Sequence, residues 1–156
     1  MTDESQFLLA VSGVLVALLA LVGAALVARR RFLVVGVAGD SMVPSLAHGD
    51  RLLVRRTRRF RVGDIVVAHH QEGGRREAVA GSEASAWLVK RVAALPGDRV
   101  PPAVVAAVGG RAGQVPAGMA VLLGDHAESV DSRRFGFVPL RDIEGVMVRR
   151  LGATGA

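Results

Sequence analysis

Among the residues able to do chemistry, Lys90 is set apart by its rarity. The chain has 20 basic residues, and Lys90 is the one lysine among nineteen arginines. Arginine replaces lysine as a surface charge, but it does not give up its proton near neutral pH. A buried lysine does, because losing its water disfavours the ammonium form. Lys90 follows Trp87, Leu88 and Val89 and comes two places before Val92, an apolar setting. A neutral amine there can act as a general base. The plainer account is a lone lysine left by chance in an arginine-biased chain, and Lys90 by itself does not separate the two.

A base needs a nucleophile. Ser41 lies in Gly39-Asp40-Ser41-Met42-Val43-Pro44, which is loop chemistry. Pro44 restricts Val43 and stiffens the loop. A serine hydroxyl is a weak nucleophile until a base takes its proton. On a fixed loop it can offer both its hydroxyl and its own N–H to one carbonyl. Most loop serines are nonetheless plain turn formers. A third stretch, GDHAESVDSRRFGFVP over 124–139, carries Ser129, Asp131 and Arg133.

Other chemistries find less support. There is no cysteine, which excludes disulfides, thiolate metal sites and a Cys nucleophile. His48, His69, His70 and His126 lack metal-ligand spacing, so no metal or cofactor is expected. A Ser-His-Asp triad drawing on His126 and Asp125 stays open, although adjacent turn residues seldom point at one hydroxyl. The net charge of +6 rests on arginines clustered at 29–31, 55–61 and 149–150. Such clusters suit nucleic acid or an anionic membrane surface. Aromatics are 4% with no Tyr, which argues against a stacking platform for nucleic acid. The run Arg55-Arg56-Thr57-Arg58-Arg59 reads as a solvated or lipid-headgroup-facing loop.

The elements that must position these residues follow from patterning. Residues 1–6 are polar, with Asp3 and Glu4. Residues 7–28 carry no charge. At about 1.5 Å per residue that run reaches roughly 33 Å, enough for a hydrocarbon core of about 30 Å. A cleaved signal peptide would have a basic start and a shorter apolar run. Residues 7–28 are therefore expected to form a single transmembrane helix stopped by Arg29–Arg31. Residues 29–156 then form the second domain. Strands are expected over 32–37, 51–55, 65–69, 86–94, 119–123, 135–138 and 145–151. Gly-Asp turns separate them at Gly49, Gly63, Gly97 and Gly124. Residues 71–85 read as an exposed hairpin loop and 99–123 as a small flap or insert that includes the strand at 119–123. Short, evenly spaced strands with such turns predict a mainly β fold, a barrel or folded sheet.

Together these stretches resemble the type I signal peptidases, serine endopeptidases built on a Ser–Lys dyad. The resemblance runs from Gly39 to about Gly145. Its blocks, in order, are S-M-x-P-x-L-x-x-G-D from Ser41, G-D-I-V from Gly63, K-R-V-x-x-L-P-G-D from Lys90, and G-D-x-x-x-S-x-D-S-R-x-F-G-x-V-P from Gly124. One block is modest evidence. Four in order, with the sole lysine at the base position, are much stronger. The resemblance implies that Ser41 is the nucleophile and Lys90 the general base. Ser129 matches the serine whose hydroxyl orients the lysine amine. Asp131 and Arg133 match an ion pair that holds that segment near the site. Gly39, Asp40, Met42 and Pro44 match loop positions, and the Ser41 N–H matches one oxyanion donor. Some relatives carry a side-chain hydroxyl two residues before the nucleophile, where this chain has Gly39. His126 stands where relatives usually have Asn, and the second subdomain is reduced.

The resemblance implies a membrane-anchored enzyme that cuts signal or leader peptides from exported precursor proteins, with no cofactor and no nucleic acid. It also implies a catalytic domain on the extracytoplasmic face. The charges disagree: acids precede the helix and arginines follow it, which places the domain in the cytoplasm by the positive-inside rule. A cytoplasmic domain would resemble the small proteases that trim nickel superoxide dismutase, which usually lack an anchor. A self-cleaving regulator with the same dyad would need a DNA-binding domain, and none is visible. A non-catalytic anchored β module remains as a third class.

Overall fold

The computed structural model describes residues 3–69, 87–110 and 113–153. It contains two compact units, residues 1–32 and residues 33–156. The first is one helix, α1 (Asp3–Arg31), with Arg29, Arg30 and Arg31 in its last turn. Within Val11–Arg31 its most apolar 18 residues have a mean hydropathy of 2.6, and the helix is long and apolar enough to cross a membrane. Along this stretch leucine, valine and alanine point outward on every face, as a helix surrounded by lipid requires.

Among the described residues, the second unit is built on a seven-stranded sheet. Its strands are β1 (Phe32–Gly36), β2 (Asp50–Arg56), β3 (Ile65–His69), β4 (Trp87–Ala94), β5 (Met119–Leu123), β6 (Val138–Pro139) and β7 (Ile143–Ala153). Their order in the sheet is β1-β2-β7-β3-β4-β5-β6. The long β7 inserts between β2 and β3 and pairs antiparallel with both. This is the mainly β architecture that the spacing of turns predicts.

The strands read as burial dictates. In β2, Asp50, Leu52 and Val54 face inward while Arg51 and Arg55 face out, a period of two. In β3, Ile65 to Ala68 are all buried, because Ile65 and Val67 pack into one core cluster and Val66 and Ala68 into another, so both faces of the strand are covered. Val35, Val37, Met42, Leu46, Leu52, Val54, Val67 and Val89 form one core cluster. Val66, Ala68, Val92, Ala120, Leu122 and Ile143 form a second.

One expectation meets a different structure. Of the run expected as a strand over 135–138, Phe135 ends a short helix, α2 (Ser132–Phe135), Gly136 and Phe137 are irregular, and pairing begins only at Val138 in β6. The Asp131 carboxylate caps α2 by accepting the Arg133 N–H, and Gly136 ends it with a positive φ of 76°. The strand expected at 119–123 forms as β5 and pairs with β4 and β6 in the main sheet. What lies between Pro102 and Val108 is two single turns of 3₁₀ helix. The loop expected at 71–85 lies outside the described residues.

Candidate active site

Lys90 sits in the middle of β4, paired opposite Val66 of β3. Side chains alternate along a strand, so Lys90 shares a face with Leu88 and Val92 and is 3% exposed. Its Nζ lies 2.6 Å from Ser41 Oγ, across 49 positions of sequence. Burial pushes the Lys90 amine below the usual lysine range; Asp131 works against that shift and Arg133 with it. A neutral amine can accept the Ser41 hydroxyl proton across this contact.

Ser41 is carried by the loop between β1 and β2. Met42 is 0% exposed and, with Leu46, pins the loop into the core. Val43 N–H donates to the Asp40 carbonyl at 3.0 Å, and Leu46 N–H to the Met42 carbonyl at 2.9 Å. The Val43–Pro44 peptide is cis. Asp40 is exposed. Gly39 has a positive φ of 78°, where a side chain is strained. The missing hydroxyl at that position therefore has a local backbone reason.

The segment after β5 closes over this loop. His126 N–H donates to the Ser41 carbonyl at 3.1 Å. Asp131 is 0% exposed and receives four hydrogen bonds. These come from Gly124 N–H (2.7 Å), Arg133 N–H (3.0 Å), Arg133 Nε (2.9 Å) and Arg133 Nη2 (2.6 Å). Burial alone would raise the Asp131 carboxyl. The Arg133 guanidinium and the two backbone N–H groups outweigh it, leaving the carboxyl below its ordinary range. Arg133 Nη2 also donates to the His126 carbonyl at 2.9 Å. Ser129 is buried, and its hydroxyl interacts with Asp131 without making any close hydrogen bond. Gly124 fits against it: a Cβ on Gly124 would stand 2.5 Å from the Ser41 carbonyl oxygen and from Ser129 Cβ.

The structure thus brings Ser41, Lys90, Asp131 and Arg133 into one cluster, with Ser129 at its rim. It does not assemble the alternative triad. Asp125 is gripped by Arg91, with Nε to Oδ1 at 2.9 Å and Nη2 to Oδ2 at 2.7 Å. His126 Nδ1 accepts the Glu128 N–H. Among the described residues no three His, Asp or Glu side chains converge as metal ligands would.

Sequence reasoning passed over Arg91. It follows Lys90 directly, so it points to the other face of β4. There it binds Asp125, the Ser45 hydroxyl (3.1 Å) and the Gly63 carbonyl (2.9 Å). Two consecutive side chains of β4 hold the same two loops from opposite sides. In a chain with nineteen arginines its residue type gives no signal; the signal is its place beside the one lysine.

Known proteins resemble this chain in sequence. The profile of a family described as "Signal peptidase, peptidase S26" matches residues 10–105 and 102–151. A Synechocystis sp. protein named "Probable signal peptidase I-1" is 34% identical over 133 aligned residues, which cover 70% of this chain. The chain spans 65% of that relative's length. With the profile matching well over half of its residues and a relative above 30% identity, the chain belongs to the signal peptidase family, peptidase S26.

Proposed function

We propose that this protein is a membrane-anchored serine endopeptidase that removes signal or leader peptides from exported precursors by a Ser41–Lys90 dyad. The observation that carries the reading is a buried lysine amine 2.6 Å from the hydroxyl of a loop serine. Family membership supports the reaction class, and the apolar α1 supports the anchor.

The contact between Ser41 and Lys90 supports the following steps. Neutral Lys90 takes the Ser41 proton as Oγ attacks the scissile carbonyl carbon. The Ser41 N–H stabilises the oxyanion, and one such donor is worth about 3–4 kcal/mol. The C–N bond then breaks, and the ammonium of Lys90 gives its proton to the leaving amine. Lys90, neutral again, deprotonates a water that attacks the acyl-enzyme ester. The acid leaves and Ser41 regains its hydrogen. Asp131 and Arg133 neutralise each other and fix the 124–133 segment. The amine-orienting role of Ser129 rests on the family resemblance, since its buried hydroxyl makes no close hydrogen bond to Lys90 or to any other described group. An extended substrate binds beside a strand bordering the cleft, and shallow pockets select small residues, as in A-x-A signals.

The test is co-expression with secreted precursors followed by N-terminal sequencing of the products. Cells with the wild-type protein are expected to yield mature N-termini directly after A-x-A, and cells with Ser41→Ala to retain the precursor. The same mature N-terminus from Ser41→Ala would refute the assignment. A second reading, a maturation protease with its catalytic domain in the cytoplasm, is favoured by Arg29–Arg31 at the end of α1.

A further inference from the structure

The loop that carries Ser41 is closed at its neck by two backbone hydrogen bonds. Val37 N–H donates to the Asp50 carbonyl at 2.8 Å, and Gly49 N–H to the Val37 carbonyl at 2.9 Å. A regular antiparallel ladder would continue with further backbone pairs. Here a side chain takes over: Gly39 N–H donates to Nδ1 of His48 at 3.0 Å. The imidazole occupies the acceptor's place one step beyond the neck.

The two halves of the loop are held unequally. After Ser41, Met42 and Leu46 are buried, and His126 N–H binds the Ser41 carbonyl. Before Ser41, the N–H groups of residues 38–40 have one partner among the described residues, and it is His48. The Ser41 N–H belongs to the peptide that joins the two halves, so both halves decide where it points. Peptide groups are planar and trans, so the Asp40 carbonyl and the Ser41 N–H point in opposite directions. Val43 N–H fixes the Asp40 carbonyl from one side. Gly39, with its positive φ, sets the approach from the other. Glycine is free to rotate, so an anchor on its N–H restrains a joint that would otherwise swing.

We infer that His48 is a positioning residue: by accepting the Gly39 N–H it locks the segment that aims the Ser41 N–H at the developing oxyanion. This rests on the assignment of Ser41 as nucleophile. His48 does not touch substrate. A donor that is aimed beforehand stabilises the transition state more than the bound substrate, so the lock acts on kcat and leaves KM alone.

An isosteric pair tests this. Asn carries Oδ1 where His carries Nδ1, so His48→Asn keeps an acceptor for Gly39. His48→Leu has a similar outline and none. His48 is exposed, so neither change opens the core. Two readouts are taken on the full chain in detergent: kcat and KM on a signal-peptide substrate, and amide hydrogen exchange at Gly39. For His48→Leu, kcat is expected to fall about tenfold with KM unchanged, the scale of one lost hydrogen bond. The Gly39 amide should exchange faster in that variant. For His48→Asn, both rate and protection should stay close to wild type. Equal Gly39 exchange in wild type and His48→Leu would overturn the lock whatever the activity. So would His48→Asn falling as far as His48→Leu, or a loss confined to KM. If the exchange pattern holds while the wild type cleaves nothing, the lock stands and the assignment of Ser41 as nucleophile falls.

Discussion

Burial acts on Lys90 in two ways at once. It lowers the amine's pKa, which frees the lone pair for Ser41, and it penalises the folded chain whenever the amine is charged. The sign of the second effect follows from linkage. The unfolded lysine holds its proton more tightly than the folded one, so stability rises with pH across the gap between them. Below the lowered folded pKa the penalty is complete; it vanishes as pH rises to the ordinary lysine value of 10.5. Lys90→Met should therefore abolish cleavage yet raise the melting temperature at neutral pH. The gain should shrink toward pH 10.5. Thermal melts of both proteins across pH, beside a cleavage assay, check this. A lower melting temperature for Lys90→Met at neutral pH would count against a penalised buried amine.

At the scale of elements, the site depends on β4 and on two loops that meet over it. Gly124 lies at that meeting point. Its missing Cβ leaves room for Ser129 and for the Ser41 carbonyl. Gly124→Ala is expected to push the two loops apart. Overpacking of this kind destabilises by about 1–3 kcal/mol, so the melting temperature should drop. Misplacement of the nucleophile should reduce kcat/KM on the order of a hundredfold. Wild-type kcat/KM in Gly124→Ala would show that the close approach is not needed. The β strands were legible because period-two burial and Gly-Asp turns are local signals, as in Asp50–Arg56. The helix α2 is hidden in the sequence because it is a single turn and its cap, Asp131, serves an ion pair and a backbone N–H at once. Phe135 to Val138 also look like a strand when isolated. Arg91 and His48 were missed for a related reason. Each acts through a long-range contact, to Asp125 and to Gly39, that spacing along the chain does not display.

For the whole molecule, the questions are where the chain sits and which way it faces. α1 is apolar over the length a membrane span needs, and the catalytic unit begins directly after it. The proposed substrates, exported precursors, require the site on the outer side, while Arg29–Arg31 at the helix end favour the inner side. Fusions at residue 156 decide between them. The proposed placement expects an alkaline phosphatase fusion to be active and a cytoplasmic reporter to be silent. The opposite pattern would move the protein to the cytoplasmic maturation reading while leaving the Ser41–Lys90 chemistry intact.

The most direct measurement uses the fact that lysine occurs once. Protein grown with ¹⁵Nζ-labelled lysine gives a single side-chain amine resonance, that of Lys90. Its titration should show a midpoint below 10.5, so that the neutral amine is more populated at any given pH than in an exposed lysine. A midpoint at or above 10.5 would mean that the amine stays charged beside Ser41, and the proposed base would not exist.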